Sequence, residues 1–358
     1  MPHNFPQIKS FILVSFLLLS VISLKAQSKK DTLVNMAWRD TFKVQKAQIV
    51  EMDSTSKMLY YRPKPFQFAK NIPSDLYLLG KTAFTKKNLP KFGAILAGTA
   101  LLVVVDQPII DAAQQFGRYV NLDPTRKSKT VIEAKFGSFS VDVLDLPQNV
   151  NSAMYFIGEG WPSILIASGF YSYGLIANDY RALQTTSQLT EMFFTLAITT
   201  QFIKRITGRQ SPIRVDAGSD GLPGGPSNPI PGGAWRPFTS PKKYQKNVSN
   251  YDAFPSGHMA TVMATITILS GNYPDNKYIK PVGYTLIGLM GYSMLNNGVH
   301  WISDYPLAIA IGYTCGKIAL SRGRKVMPKK GADRGASSSF TPVYLGEGGI
   351  GLSYRATF

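Results

Sequence analysis

Histidine and cysteine are the scarcest reactive residues in this chain of 358 residues. The single cysteine, Cys315, excludes an intramolecular disulfide and any cysteine-based metal cluster, and its apolar neighbours favour an inert buried thiol. The three histidines are His3, His258 and His300, and His3 precedes a hydrophobic N-terminal run. Because removal of a secretion signal would leave only His258 and His300, imidazole chemistry in the mature protein depends on these two residues.

Acidic residues are also few. The chain has 21 Asp and Glu against 39 Lys and Arg, for a net charge of +18, and charged residues make up 17%, below the usual quarter of a soluble chain. In an exported protein, this excess of positive charge indicates anionic lipid headgroups or phosphorylated substrates, and the alternative is a solvated basic surface. No nucleic-acid-binding motif is visible, so nucleic acid is not expected as a partner.

The N-terminus is predicted to be a secretion signal. Lys9 precedes an apolar run from Phe11 to Ile22, and the small residue Ala26 is followed by a polar stretch. We therefore expect residues 1–26 to be removed on export to the bacterial cell envelope. The alternative is an uncleaved anchor helix.

Six apolar segments predict the core of the fold. Several are long enough to span a bilayer as helices, and they do not alternate between apolar and polar residues as half-buried strands do. The sequence thus predicts an all-α protein whose core is a six-helix bundle, membrane-embedded, with one segment that does not span. The segments are 92–105, 156–177, 189–206, 255–273, 278–295 and 301–320.

Polar regions flank and interrupt these segments. Residues 27–90 are basic and broken by prolines, which predicts a polar, envelope-facing extension of short helices or irregular structure. A loop rich in Gly and Pro, roughly 208–254, suggests a role in gating substrate. Strand-like runs around 346–349 predict a C-terminal β-hairpin after a basic linker. We accordingly divide the chain into 1–26, 27–90, a helical domain 91–320, and the linker with its hairpin, 321–358.

His300, Asp304 and His258 carry the groups that phosphoryl transfer requires. His300 can act as the nucleophile through a ring nitrogen, and Asp304, four residues later, can accept the other ring N–H and so fix the tautomer. His258 suits the general acid because imidazole titrates near neutral pH. The alternative is that both histidines have only structural roles.

Positive charge and helix N–H groups near these residues would hold a phosphate. Lys204 and Arg209 follow the third apolar segment, and arginine can bind phosphate oxygens in bidentate fashion. The residues before His258 predict a helix start, at which the Ser256 hydroxyl, free N–H groups and the small Gly257 would cradle an anion. The alternatives are an ordinary helix cap and the positive flank of a membrane helix.

The order and spacing of these residues resemble the type 2 phosphatidic acid phosphatase superfamily, which includes bacterial acid phosphatases and vanadium haloperoxidases. Its pattern is a lysine, six residues and Arg-Pro, then Pro-Ser-Gly-His, then Ser-Arg, five residues, His, three residues and Asp. The resemblance extends over about 90–320 and implies a helical bundle core, a phosphohistidine at His300, acid catalysis by His258, and no metal or other cofactor. The positions in register are Lys204, Pro212, 255–258, Ser293, His300 and Asp304.

Two positions depart from the family pattern. Ser211 and Met294 stand where the family has arginines that hold the phosphate. Losing these charge-assisted contacts would weaken transition-state stabilisation unless other arginines supply them. The candidate substitutes near the motifs are Arg205, Arg209, Arg214 and Arg236.

We therefore predict a metal-independent phosphatase that hydrolyses a phosphorylated lipid or a related phosphomonoester. It is expected to be associated with a bacterial membrane, with its site facing the periplasm. The alternatives are a soluble periplasmic acid phosphatase and a catalytically weakened, phospholipid-binding envelope protein.

Overall fold

The computed structural model describes residues 32–35, 46–52, 56–136, 139–212, 228–328, 337–344 and 350–357. The predicted secretion signal, residues 1–26, lies outside these ranges. Helices dominate the described part of the chain, and three small antiparallel sheets accompany them. The helices are α1 (Gln67–Ala83), α2 (Leu89–Tyr119), α3 (Val150–Phe156), α4 (Gly160–Ile176), α5 (Tyr180–Thr207), α6 (Pro241–Lys246), α7 (Gly257–Asn272), α8 (Ile279–Asn296) and α9 (Tyr305–Ser321).

Each of the six apolar segments predicted to be helical lies on a helix, namely α2, α4, α5, α7, α8 or α9. The predicted count of six does not describe the whole bundle, because α1 packs on α5 and α3 packs on α8. These two helices are short or largely polar and lack the long apolar run on which the prediction relied.

Helix α7 lies at the centre of the bundle, in contact with α4, α5, α8 and α9. Its closest approach is to α9, where glycines bring the two backbones together. A Cβ atom added at Gly312 would lie 2.2 Å from the carbonyl oxygen of Ala260, and one at Gly316 would lie 2.9 Å from Thr267. Cys315 is buried in this core, as predicted. The close packing of α7 on α9 holds together the segments that carry the two histidines.

A four-stranded antiparallel sheet joins the two ends of the helical region. Its strand order is β1 (Thr32–Asn35), β2 (Lys46–Glu51), β3 (Ser56–Tyr61) and β6 (Arg324–Pro328). Tyr60 on β3 donates to the Asn272 carbonyl oxygen at 3.2 Å, so the sheet packs against the end of α7. The prediction of short helices or irregular structure for 27–90 is wrong at these strands. The proposed boundaries at 90 and 320 do not separate structural units, because β3 pairs with β6.

Two hairpins complete the described structure. Strands β4 (Ser128–Phe136) and β5 (Phe139–Pro147) pair between α2 and α3, in a region where the sequence pattern predicts no strand. Strands β7 (Ser337–Tyr344) and β8 (Ile350–Thr357) pair as the predicted C-terminal hairpin. The predicted turn at 346–349 lies outside the described residues.

Several helices expose apolar side chains. Among the described helices, α2 alone meets length and hydropathy criteria for crossing a membrane, and only 17% of its most apolar window is buried. Leu101 and Val104 on this helix are 72% and 80% exposed. Exposed apolar side chains also occur on α4 and α5, for example Leu175 and Phe202. Embedding in a membrane stays a prediction, and the exposed apolar surface is compatible with it.

Candidate active site

The segment around His258 begins helix α7, as predicted. Ser256 is the N-cap residue, and its hydroxyl accepts a hydrogen bond from the Met259 N–H at 3.3 Å. The Ser256 N–H donates to the Asp304 carbonyl oxygen at 3.1 Å, which links this helix start to the segment that carries the second histidine. Gly257 lines a cavity, whereas Ser256 is fully buried. The Ser256 hydroxyl therefore serves the helix, and the phosphate contact predicted for it is corrected.

His300 lies between α8 and a short 3-10 helix, Ile302–Asp304, that leads into α9. Its Nδ1 atom lies 2.8 Å from the Ala253 carbonyl oxygen and 3.3 Å from Asp304 Oδ2. A carbonyl oxygen only accepts hydrogen bonds, so in the neutral ring Nδ1 carries the proton and Nε2 keeps its lone pair. The backbone at Ala253 thus shares with Asp304 the role of fixing the tautomer.

The two imidazoles lie beside each other. The ring centroids of His258 and His300 are 5.9 Å apart, and the ring planes meet at 69°. Tyr155 of α3 also packs on His258, with ring centroids 4.5 Å apart. His258 lines a cavity of about 430 Å³, and His300 is only 2% exposed. The cavity therefore reaches the histidine pair from the His258 side.

Lys204 lies in the last turn of α5 and lines the same cavity as His258. Its Nζ atom lies 3.6 Å from Oδ2 of Asp252. Gly208 is the C-cap residue of helix α5; it has a φ of 55°, and a Cβ atom added there would lie 1.8 Å from the Arg236 carbonyl oxygen. Glycine is required there, since other residues would be strained and would clash. The structure thus places Lys204 at the same cavity as His258, the residue predicted to be the general acid.

Arg209 does not line this cavity. Its side chain is fully buried between two carboxylates, with Nη1 at 2.6 Å from Asp304 Oδ1 and Nη2 at 2.5 Å from Asp106 Oδ2. Both carboxylates are themselves fully buried. The phosphate contact predicted for Arg209 is therefore corrected: Arg209 holds Asp304, which in turn contacts His300.

The other arginines offered as substitutes bind elsewhere. Arg205 stacks on Tyr244, with its guanidinium carbon 3.4 Å from the ring centroid, and Arg236 donates to the Asn250 carbonyl oxygen at 3.2 Å. Neither lines the cavity. Arg214 lies outside the described residues.

The two positions that depart from the family pattern are both buried. Ser211 lies near the lysine, and its hydroxyl donates to Asp252 Oδ1 at 3.5 Å. Met294 is part of the hydrophobic core, and its sulfur accepts a long contact of 3.7 Å from the Ser256 hydroxyl. An arginine at 211 would enter beside an acidic side chain, whereas one at 294 would enter the core.

One arginine that the sequence motifs do not indicate is brought to the cavity by the fold. Arg126, in the loop before β4, lines the cavity with His258 and Lys204. Its guanidinium carbon lies 4.5 Å from the ring centroid of Tyr155, and its Nη2 donates to Glu159 Oε1 at 2.8 Å. The only signal in the sequence is a lone arginine outside every motif, which does not indicate a site.

Within the described residues, no group of three or more His, Cys, Asp or Glu side chains could hold a metal ion. The expectation of a metal-independent reaction therefore rests on the family resemblance alone.

A comparison with family models finds a match to the PAP2 superfamily over residues 184–327. The matched region begins within α5 and ends within β6, and it includes Lys204, His258, His300 and Asp304. Residues 184–327 are therefore similar to the type 2 phosphatidic acid phosphatase superfamily. No curated protein matches the sequence.

Two solved structures are similar to the chain at a distance. The crystal structure of Aquifex aeolicus LpxE has 18% identity over 48% of this chain and 83% of that chain, with a TM-score of 0.32. The crystal structure of the first transmembrane PAP2 type phosphatidylglycerolphosphate phosphatase from Bacillus subtilis has 13% identity over 72% of this chain and 96% of that chain, also with a TM-score of 0.32. Both are too distant to support an argument about this chain.

Proposed function

We propose that this protein is a phosphatase that removes phosphate from a phosphorylated lipid or a related phosphomonoester. The observation that carries the proposal is that His258 and Lys204 line one cavity and that His300 packs against His258. The two imidazole centroids are 5.9 Å apart, and Lys204 and His258 line the same space. His300 has its Nδ1 occupied by acceptors, so Nε2 is the atom that can attack phosphorus.

In the first step, the lone pair of His300 Nε2 forms a bond to phosphorus while the bond to the leaving oxygen breaks. Protonated His258 donates its proton to that oxygen, so the product leaves as a neutral alcohol. Asp304 and the Ala253 carbonyl stabilise the positive charge that develops on the phosphorylated imidazole of His300.

In the second step, neutral His258 removes a proton from water as the water oxygen attacks phosphorus. The bond between phosphorus and His300 breaks, inorganic phosphate leaves, and both histidines return to their starting forms. Lys204 and the N–H of Gly257 at the start of α7 would hold the negatively charged oxygens in both steps.

Apolar surface beside the cavity favours a lipid over a soluble phosphomonoester. Trp161 and Phe193 line the cavity. Next to them on α5, Phe194, Ile198 and Phe202 are 45%, 48% and 66% exposed. An acyl chain attached to the bound phosphate could cover this surface, whereas a short substrate would leave it in water. The same surface would suit a location in the cell envelope membrane, and the predicted secretion signal would put the site on the periplasmic side.

Phosphate release by the protein purified in detergent tests this proposal. Phosphatidic acid should be hydrolysed with a higher kcat/KM than p-nitrophenyl phosphate, and His300→Ala should abolish release of phosphate from both. Lys86→Ala, at an exposed loop position, serves as the preparation control. Equal release by wild type and His300→Ala would refute the nucleophile, and preference for the soluble ester would favour an acid phosphatase. Lipid binding without any release would favour the binding protein.

A further inference from the structure

We propose that Arg126 is the phosphate-binding arginine of this site, in the role that Ser211 and Met294 cannot fill. The inference rests on the proposed function and adds a residue that lies outside the matched family region, 184–327.

The position of Arg126 carries the inference. It lines the same cavity as His258, Lys204 and Gly257, which are the residues proposed to meet the phosphate. Its side chain is 15% exposed, so the guanidinium is largely shielded from bulk water while it still borders the cavity. Charge-assisted hydrogen bonds are stronger in such a partly desolvated site than at an open surface.

A single aromatic ring relates this guanidinium to the proposed acid. The Arg126 guanidinium carbon lies 4.5 Å from the centroid of the Tyr155 ring. The Tyr155 ring also packs on His258, with the two ring centroids 4.5 Å apart. Stacking on an aromatic ring leaves the edge N–H groups of a guanidinium able to bind oxygens. Arg126 and His258 are therefore held in one arrangement around the space where the phosphate would bind.

The loop that carries Arg126 is fixed to helix α3. The Asn149 side chain caps α3 by accepting from the Ser152 N–H at 2.6 Å, and it donates to the Thr125 carbonyl oxygen at 2.8 Å. The Ser152 hydroxyl accepts from the Lys127 N–H at 2.8 Å. Asp123 accepts from the Thr125 N–H and hydroxyl at 2.9 and 2.6 Å. Because both neighbours of Arg126 are tied down, the loop presents its side chain in a preorganised position.

Asp123 remains charged while it performs this role. Burial opposes its ionisation, but hydrogen bonds from Lys127 and Thr125 prevail and lower the pKa of Asp123 to about 2. The loop that positions Arg126 therefore keeps its anchor throughout the pH range in which imidazole catalysis operates.

Glu159 is the residue that shares Arg126 with the substrate. Its Oε1 accepts from Arg126 Nη2 at 2.8 Å, and it lines the same cavity. A bound phosphate would compete with this carboxylate for the guanidinium, and the carboxylate would also repel the phosphate. Glu159→Gln keeps an acceptor oxygen but removes the charge, so it should strengthen anion binding.

Kinetics and inhibition by orthovanadate, a phosphate analogue, test the assignment. Arg126→Gln should lower kcat/KM about 100-fold, as loss of one transition-state donor does, and should raise the inhibition constant for orthovanadate by a similar factor. Arg126→Lys should fall between wild type and Arg126→Gln because it keeps the charge without the planar donor pair. Glu159→Gln should lower that inhibition constant. Lys129→Gln, which removes one exposed positive charge nearby, should leave both quantities unchanged.

Two outcomes would overturn the inference. Arg126→Gln could behave like Lys129→Gln, or Arg126→Gln and Glu159→Gln could lose activity equally with unchanged orthovanadate inhibition, as expected of a purely structural ion pair. If the wild type releases no phosphate at all, the proposed function fails. A direct measurement of orthovanadate binding would then decide. If the wild type binds orthovanadate and Arg126→Gln does not, the anion site is supported, and if the two proteins bind it equally, the anion site is refuted.

Discussion

Replacing Arg209 with methionine should destabilise the protein far more than loss of a surface ion pair would. The guanidinium of Arg209 lies between Asp106 and Asp304, and all three side chains are fully buried. Methionine has a similar volume but leaves two carboxylates without their shared cation. Removing one partner of a buried ion pair costs about 3–5 kcal/mol because the remaining charge is uncompensated.

A second substitution should recover part of that loss. Asp106 accepts from the Ser303 N–H at 3.0 Å and from the Ser303 hydroxyl and Arg209 at 2.5 Å each. Asp106→Asn alone places an amide donor against the guanidinium and should cost about 1–3 kcal/mol. In the double variant the guanidinium is gone, so the new amide can donate to the Ser303 hydroxyl, and only Asp304 remains charged. The double variant should therefore be less destabilised than the two single changes predict together, by about 1–3 kcal/mol.

Thermal unfolding of the four proteins in detergent measures this coupling. Arg209→Met should lower Tm by roughly 10 °C, and the double variant should unfold at a temperature above the one that additive effects would give. If the two changes are additive to within about 0.5 kcal/mol, Arg209 does not couple to Asp106 as the contacts indicate. If Arg209→Met unfolds at the wild-type temperature, the buried cluster makes no net contribution.

Two further substitutions test the site itself. Asp304→Asn keeps an acceptor for the Trp301 N–H, which Asp304 Oδ2 now binds at 2.8 Å, but loses the charge that faces the phosphorylated His300. It should lower kcat by about 10⁴-fold with little change in KM, and steady-state kinetics showing a normal kcat would contradict the role of Asp304. Ser211→Arg, introduced into the Arg126→Gln variant, should restore kcat/KM at least several-fold because it returns a guanidinium next to Asp252, which contacts the cavity residue Lys204. A further loss in the same assay would mean that the new arginine only captures a nearby carboxylate.

Local sequence patterns indicated His258, His300 and Asp304, which are the proposed acid, nucleophile and orienting carboxylate, because the backbone geometry around each is local. His300 and Asp304 are only four residues apart, so both lie in the short segment that leads into α9, and Pro306 lies in the first turn of that helix. The N-cap at Ser256 similarly follows from a Pro-Ser-Gly-His segment that precedes an apolar run. Short-range patterns of this kind report backbone conformation, which is why the helix starts are confirmed.

The partners of Arg209 and Arg126 could not be predicted in the same way. Asp106 reaches Arg209 only because α2 packs beside the 3-10 helix that precedes α9, a contact between distant parts of the chain. Arg126 reaches the cavity only because the loop is bound to α3. The pairing of β3 with β6 is equally long-range. No periodicity in the sequence encodes which of many charged residues will meet across such contacts.

The matched region, 184–327, therefore does not contain every residue of the candidate site. Asp106 supports Asp304 through Arg209, and Arg126 borders the cavity, yet both precede the matched region. An expectation of weakened catalysis based on Ser211 and Met294 counts only the charges within the motifs.

The electrostatic environment of the cavity, by contrast, depends on every charge that the fold brings near it. Helix α2 is an example. It exposes an apolar surface suited to a membrane, and Asp106 on its buried side binds Arg209, which in turn binds Asp304. Membrane contact and the orientation of His300 would thus depend on the same helix. A displacement of α2 would move Asp106, and the contacts through Arg209 and Asp304 would transmit that movement to His300, the proposed nucleophile.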